Sequence, residues 1–142
     1  MLFSFLKWIK RKEKKMKPLN KFFINALYDW VIESNGVPYI EVNVKALGVI
    51  IPPQFHEQDK IIFNISMDAA PNLNVSDDGV SFSARFGGKS EDIFLPLHSI
   101  LSLFDNETKS GMQLPPMEPP VTEDPKQDKD DKPKDNPFSI VK

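Results

Sequence analysis

Val80-Ser81-Phe82-Ser83-Ala84-Arg85-Phe86 alternates apolar and polar side chains almost without error. A period of two belongs to a strand with one face in a core. It puts Val80, Phe82, Ala84 and Phe86 on one side and Ser81, Ser83 and Arg85 on the other. Upstream, Ile61-Ile62-Phe63-Asn64-Ile65 is bulky and β-branched, as a second strand requires. Asp77-Asp78-Gly79 is a turn signal, and Gly87-Gly88 ends the second strand where the backbone needs freedom. A chain centred on this pair is organised by an antiparallel sheet.

Ahead of the strands, Leu19 to Ser34 predicts a helix. Pro18 suits its first turn, Asn20 is a possible N-cap, and Asn35-Gly36 closes it with a residue that accepts the left-handed conformation. Phe23, Ala26, Leu27, Trp30 and Val31 form one apolar stripe, which Phe22 and Tyr28 widen. So aromatic a stripe has to be covered, and both its own sheet and a second copy of the chain are expected to share in covering it.

From Tyr39 the period is again two, with Ile40, Val42 and Val44 on one side of a strand. Val49-Ile50-Ile51 predicts a short strand stopped by Pro52-Pro53, and a polar loop from Gln54 to Lys60 carries Phe55 and His56. Asp92 to Pro96 predicts another strand. Leu97, Ile100, Leu101 and Phe104 at helical spacing predict a short helix. One helix and about five short strands make the fold mainly β: a small, bent antiparallel sheet or partly open barrel.

The 142 residues suffice for one domain. After Phe104 the composition breaks, with seven of the thirteen prolines between Pro115 and Pro137 and mostly Asp and Lys from Glu123 to Asp135. Such a segment cannot offset its chain entropy by burial and is expected to be disordered. The expected organisation is an extension at 1–17, a domain at 18–104, a linker at 105–135 and an apolar terminal peptide at 136–142. That last patch favours a docking motif, because an apolar end on an acidic tail is otherwise poorly used.

Residues 1–17 carry seven Lys/Arg and one Glu, whereas residues 18–104 carry five basic and ten acidic side chains. The first nine residues are too few to span a bilayer, and their apolar run precedes the basic residues, the reverse of an export signal. They are expected to be an extension, or to lie ahead of a true start at Met16; binding to an anionic membrane surface is physically open to them. The absence of cysteine excludes disulfides and thiol catalysis and fits a reducing, cytoplasmic setting.

The case for catalysis is thin. His56 and His98 are the two histidines, Asp77-Asp78 reads first as a turn, and no phosphate loop, metal-spaced cluster or nucleophile elbow occurs. Neither a cofactor nor a metal is expected. Phe82-Ser83-Ala84-Arg85-Phe86-Gly87 is similar to aromatic strand motifs on which RNA bases stack. Its neighbours Asp68, Asp77, Asp78, Glu91 and Asp92 make the local field wrong for a polyanion.

Taken in order and spacing, Phe23…Ala26-Leu27-Tyr28-Asp29-Trp30, Gly48-Val49…Pro52, Ile61-Ile62-Phe63-Asn64-Ile65, Asn72-Leu73 and Phe82-Ser83-Ala84-Arg85-Phe86-Gly87-Gly88 resemble the stringent starvation protein B family. Its members are bacterial adaptors that deliver ssrA-tagged proteins to the ClpXP protease. The resemblance runs from Pro18 to Phe104 and resumes at Pro137-Phe138-Ser139-Ile140-Val141-Lys142, which looks like the family's ClpX-docking peptide. It implies a homodimer with Phe23, Leu27 and Trp30 at the interface, and an Sm-like, partly open barrel followed by a disordered tail. Its partners would be ssrA-tagged polypeptides and the N-terminal domain of ClpX, and its role non-enzymatic. Carried over position by position, the degron groove would comprise Phe55, Asn64, Met67, Ala69, Ala70, Ala84, Arg85 and Phe86. The docking peptide would use Pro137, Phe138, Ile140, Val141 and Lys142. Two features depart from the family pattern: the tail is shorter and richer in lysine, and residues 1–17 have no counterpart. The alternative reading is an Sm-like module for single-stranded RNA.

Overall fold

The computed structural model describes residues 15–119. Helix α1 (Leu19–Glu33) precedes strands β1 (Pro38–Asn43), β2 (Lys60–Asn64), β3 (Asn74–Val75), β4 (Gly79–Phe86), β5 (Lys89–Pro96), β6 (Ile100–Asp105) and β7 (Gly111–Gln113). Single 3-10 turns lie at Pro53–Phe55 and Leu97–Ser99. The strands form two antiparallel sheets, β2-β1-β6-β7 and β3-β4-β5. The fold is therefore mainly β, as expected, and the two sheets stay open rather than closing into a barrel.

The core lies between the sheets and under α1. Ile40 and Val42 from β1, Phe63 from β2, Val80 and Phe82 from β4, Ile93 and Leu95 from β5, and Leu103 from β6 are buried together. Phe63 joins the sheets by meeting the rings of Phe82 and Phe86 edge-on, at 5.5 and 6.2 Å between centroids. Aromatic pairs favour that geometry because the positive ring edge meets the negative face. The two strands that dominate the sequence thus lie in different sheets and meet through side chains.

Gly87 and Gly88, at φ of 63° and 81°, form the two-residue loop between β4 and β5. Both sit in the left-handed region, where a side chain is disfavoured and the loop twist matches that of the strands.

Several local expectations are corrected. The N-cap of α1 is Pro18, without a side-chain cap, while Asn20 is buried and its Nδ2 donates to the Pro115 carbonyl at 2.8 Å. The expected left-handed closure within Asn35-Gly36 does occur, and Asn35 is the residue that takes it (φ 62°). Gly36 is needed for space, since a Cβ there would run into the Asp105 carboxylate. The helix buries Asn20, Ile24 and Val31, with Phe23, Leu27 and Tyr28 half-buried, whereas Ala26 and Trp30 point outward. Ile50 makes only an isolated bridge to Phe94 in place of a strand. Leu97 to Phe104 is one 3-10 turn followed by β6, not a helix.

Ordered elements also run on past Phe104. Asp105 opens a tight turn in which its carboxylate accepts from the backbone N–H of Val37 (2.9 Å) and of Thr108 (2.8 Å) and from the Thr108 hydroxyl (2.8 Å). These donors, the Thr108 N–H foremost, hold the Asp105 carboxyl below the usual carboxylate range. The turn returns the chain as β7, and Leu114 N–H then donates to Leu101 O at 2.8 Å.

Candidate functional site

In an antiparallel pair, alternate residues aim their backbone groups at the partner strand and away from it. Ile65 N–H donates to Pro38 O and Val44 N–H to Asp59 O, which sets the phase of the β1–β2 ladder. Ile61 and Phe63 therefore face β1, and the N–H and C=O of Ile62 and Asn64 face outward. On β4, Ser83 N–H turns away from β5 to the side-chain oxygen of Asn72 at 2.9 Å. The same phase turns the backbone of Arg85 away from β5. Strand β3 pairs only with Val80 and Ser81, so it stops short of that end.

Between these two open edges lies a cleft of about 420 Å³. Phe63, Phe86, Ala69 and Ala84 give it apolar walls, and Asn64, Asp68, Ser83, Arg85 and Ser90 a polar rim. Small side chains at Ala69 and Ala84 leave room for another backbone to approach. Asn64 Oδ1 accepts from Ser66 N–H at 2.9 Å, and Ala70 N–H donates to Ser66 O at 2.7 Å, so the 66–70 wall is a tied turn. Phe55 rests edge-on against Phe86 at 5.1 Å and braces the Phe86 side of the cleft from the 53–55 turn.

Five of the eight groove candidates line the cleft: Asn64, Ala69, Ala84, Arg85 and Phe86. Phe55 stands behind Phe86, and Met67 is exposed on the adjoining turn. Ala70 is 1% exposed and belongs to the core, because the turn that shows Ala69 to the cleft rotates its neighbour inward. Sequence reasoning missed Ile62, Phe63, Asp68, Pro71, Ser83 and Ser90, which also line it. The alternation of β4 already placed Ser83 opposite the core face; nothing local marked the others. Pro137, Phe138, Ile140, Val141 and Lys142 lie outside the described residues.

Neither histidine lines the cleft. His56 Nε2 sits 3.1 Å from Ile51 O and His98 Nε2 2.9 Å from Leu47 O, so each ring is engaged by a backbone carbonyl. No cluster of metal-ligating side chains occurs among the described residues.

The family model described as stringent starvation protein B matches residues 18–139. The chain belongs to this family. A stringent starvation protein B homolog from Haemophilus influenzae is 31% identical to it over 106 residues, covering 75% of this chain and 71% of the relative. The match to the stringent starvation protein B model begins at Pro18, the N-cap of α1, and it takes in the cleft whole.

Proposed function

We propose that this chain is a non-enzymatic proteolysis adaptor that holds the ssrA degron in the cleft between β2 and β4. The observation that supports it best is the pair of outward-facing strand edges on either side of an apolar slot. An extended peptide satisfies such edges through its own backbone, and side-chain pockets add selectivity. Ala69 and Ala84 admit the peptide backbone, and Arg85 pairs with an acidic side chain or a carbonyl of the degron.

Delivery then depends on the tail. Pro137–Lys142 docks on the N-terminal domain of ClpX and raises the local concentration of cargo to about millimolar. Past Met117, which packs against the core, residues 118–136 give 19 positions before that peptide. A flexible chain of that length has a mean span of roughly 24 Å and a full reach of about 65 Å. A second copy of the chain covers the outward stripe of Phe22, Ala26 and Trp30, with Phe23 and Leu27 along its inner border. The dimer carries two tails, and the setting is the cytoplasm.

Fluorescence anisotropy of a labelled ssrA peptide tests the reading. Saturable binding, displaced by unlabelled peptide and unaffected by single-stranded RNA, is expected. Displacement by the RNA would favour the nucleic-acid module, and no saturable binding at all would remove the degron from the cleft.

A further inference from the structure

Residues 1–17 are not used by the reading above, and their chemistry differs from that of the domain. Six of the first nine side chains are bulky and apolar (Leu2, Phe3, Phe5, Leu6, Trp8 and Ile9), and seven Lys/Arg with one Glu lie between Lys7 and Lys17. Nowhere else in the chain do a dense apolar run and a dense cationic run adjoin. Residues 18–104 carry five basic and ten acidic side chains, so the domain itself is repelled by an anionic surface.

The described part of this region shows where it leaves the fold. Lys17 and Lys21 both reach Asp77, at 3.3 and 3.0 Å, which ties the start of α1 to the turn ahead of β4. Beside that tie Met16 is 86% exposed and Leu19 60%. The cleft lies at the far end of the same strand, since Ala84, Arg85 and Phe86 close β4 and Gly79 opens it. Eight residues of strand separate the two ends by about 23 Å.

From this we infer that residues 1–17 dock the domain on an anionic phospholipid membrane surface, leaving the cleft open to the cytosolic side. Leu2 to Ile9 enter the interface between headgroups and acyl chains, where Trp and Phe are favoured, and the six cations from Lys7 to Lys15 meet the headgroup phosphates. The apolar run is too short to cross. The same run decides against nucleic acid, which would engage the lysines and leave six bulky side chains in water.

Flotation of the full-length chain with vesicles is the test, using phosphatidylcholine alone and a 70:30 mixture with phosphatidylglycerol. The chain is expected to rise with the anionic vesicles at least tenfold more than with the neutral ones, and to lose most of that binding in high salt. A Phe5→Asp/Trp8→Asp double variant is expected to bind the anionic vesicles at least tenfold less while keeping its melting temperature and its ssrA-peptide affinity. Three results would overturn the inference: equal flotation of the variant, stronger retention on single-stranded RNA than on anionic vesicles, or native protein that begins at Met16.

Discussion

Asp105 concentrates much local order in one side chain. Its carboxylate collects three donors from two segments, joining the exit of α1 to the turn before β7. Asp105→Ala is expected to lower the melting temperature by several degrees, because two part-buried backbone N–H groups lose their acceptor. The same carboxylate gives a pH signature. Since its folded pKa is depressed, its contribution is complete above the unfolded value of about 3.9 and is lost as pH falls through the folded value. Wild type should therefore lose stability below about pH 4 more steeply than Asp105→Ala, as thermal melts across pH would register. Arg85 is the opposite kind of residue, exposed and unneeded by the core. Arg85→Glu is expected to weaken ssrA-peptide binding by about tenfold, the size of a lost charge-assisted hydrogen bond, and to leave the melting temperature unchanged. Unaltered anisotropy would take Arg85 out of the site.

Among the elements, β2 makes the most specific claim, because it contributes backbone rather than side chain. Ile62→Pro removes an N–H that faces the cleft and spares the ladder to β1, a substitution an edge strand accepts. Peptide affinity is expected to fall about fivefold, near 1 kcal/mol for one hydrogen bond, with the circular-dichroism spectrum preserved. The alternation that makes such an argument available was readable in the amino-acid sequence: Val80 to Phe86 declared both its period and its faces. Strand partnership was not, since a period says which side is buried and never against what. The segment from Ile100 to Phe104 shows the other limit. Ile100 and Leu103 are buried and Leu101 and Phe104 half-buried, so β6 is covered on both faces. A strand of that kind reads as a continuous apolar run whose 3/4 spacings match a helix equally well. On α1, Ala26 and Trp30 completed a stripe by spacing alone, while Ile24 supplied the buried contact. The cleft was half legible for a related reason. Most of its strand residues lie where a pattern exists, whereas Asp68 and Pro71 come from turns, and Ser90 from the start of β5, whose placement depends on the whole fold.

At the level of the whole molecule, the exposed stripe and the tail make separable claims. Phe22 is 49% exposed and Trp30 47%, one above the other with Ala26 between, more aromatic surface than a lone helix face usually shows water. Wild type is expected to sediment as a dimer and Trp30→Asp as a monomer with unchanged affinity for peptide; a dimeric variant would move the interface elsewhere. Deleting Phe138–Lys142 is expected to abolish accelerated degradation of an ssrA-tagged substrate by ClpXP and to leave peptide binding intact. Undiminished degradation would end the tethering account. The two open edges carry a mechanical consequence as well. Ladder hydrogen bonds run perpendicular to a strand, so a peptide held between edges resists a pull along its axis with every bond in shear. A pull that lifts one end away from the slot loads the bonds one after another and unzips them. On the adaptor proposal, cargo seated in this way would be firm against diffusion yet surrender easily to an unfoldase tugging from one end.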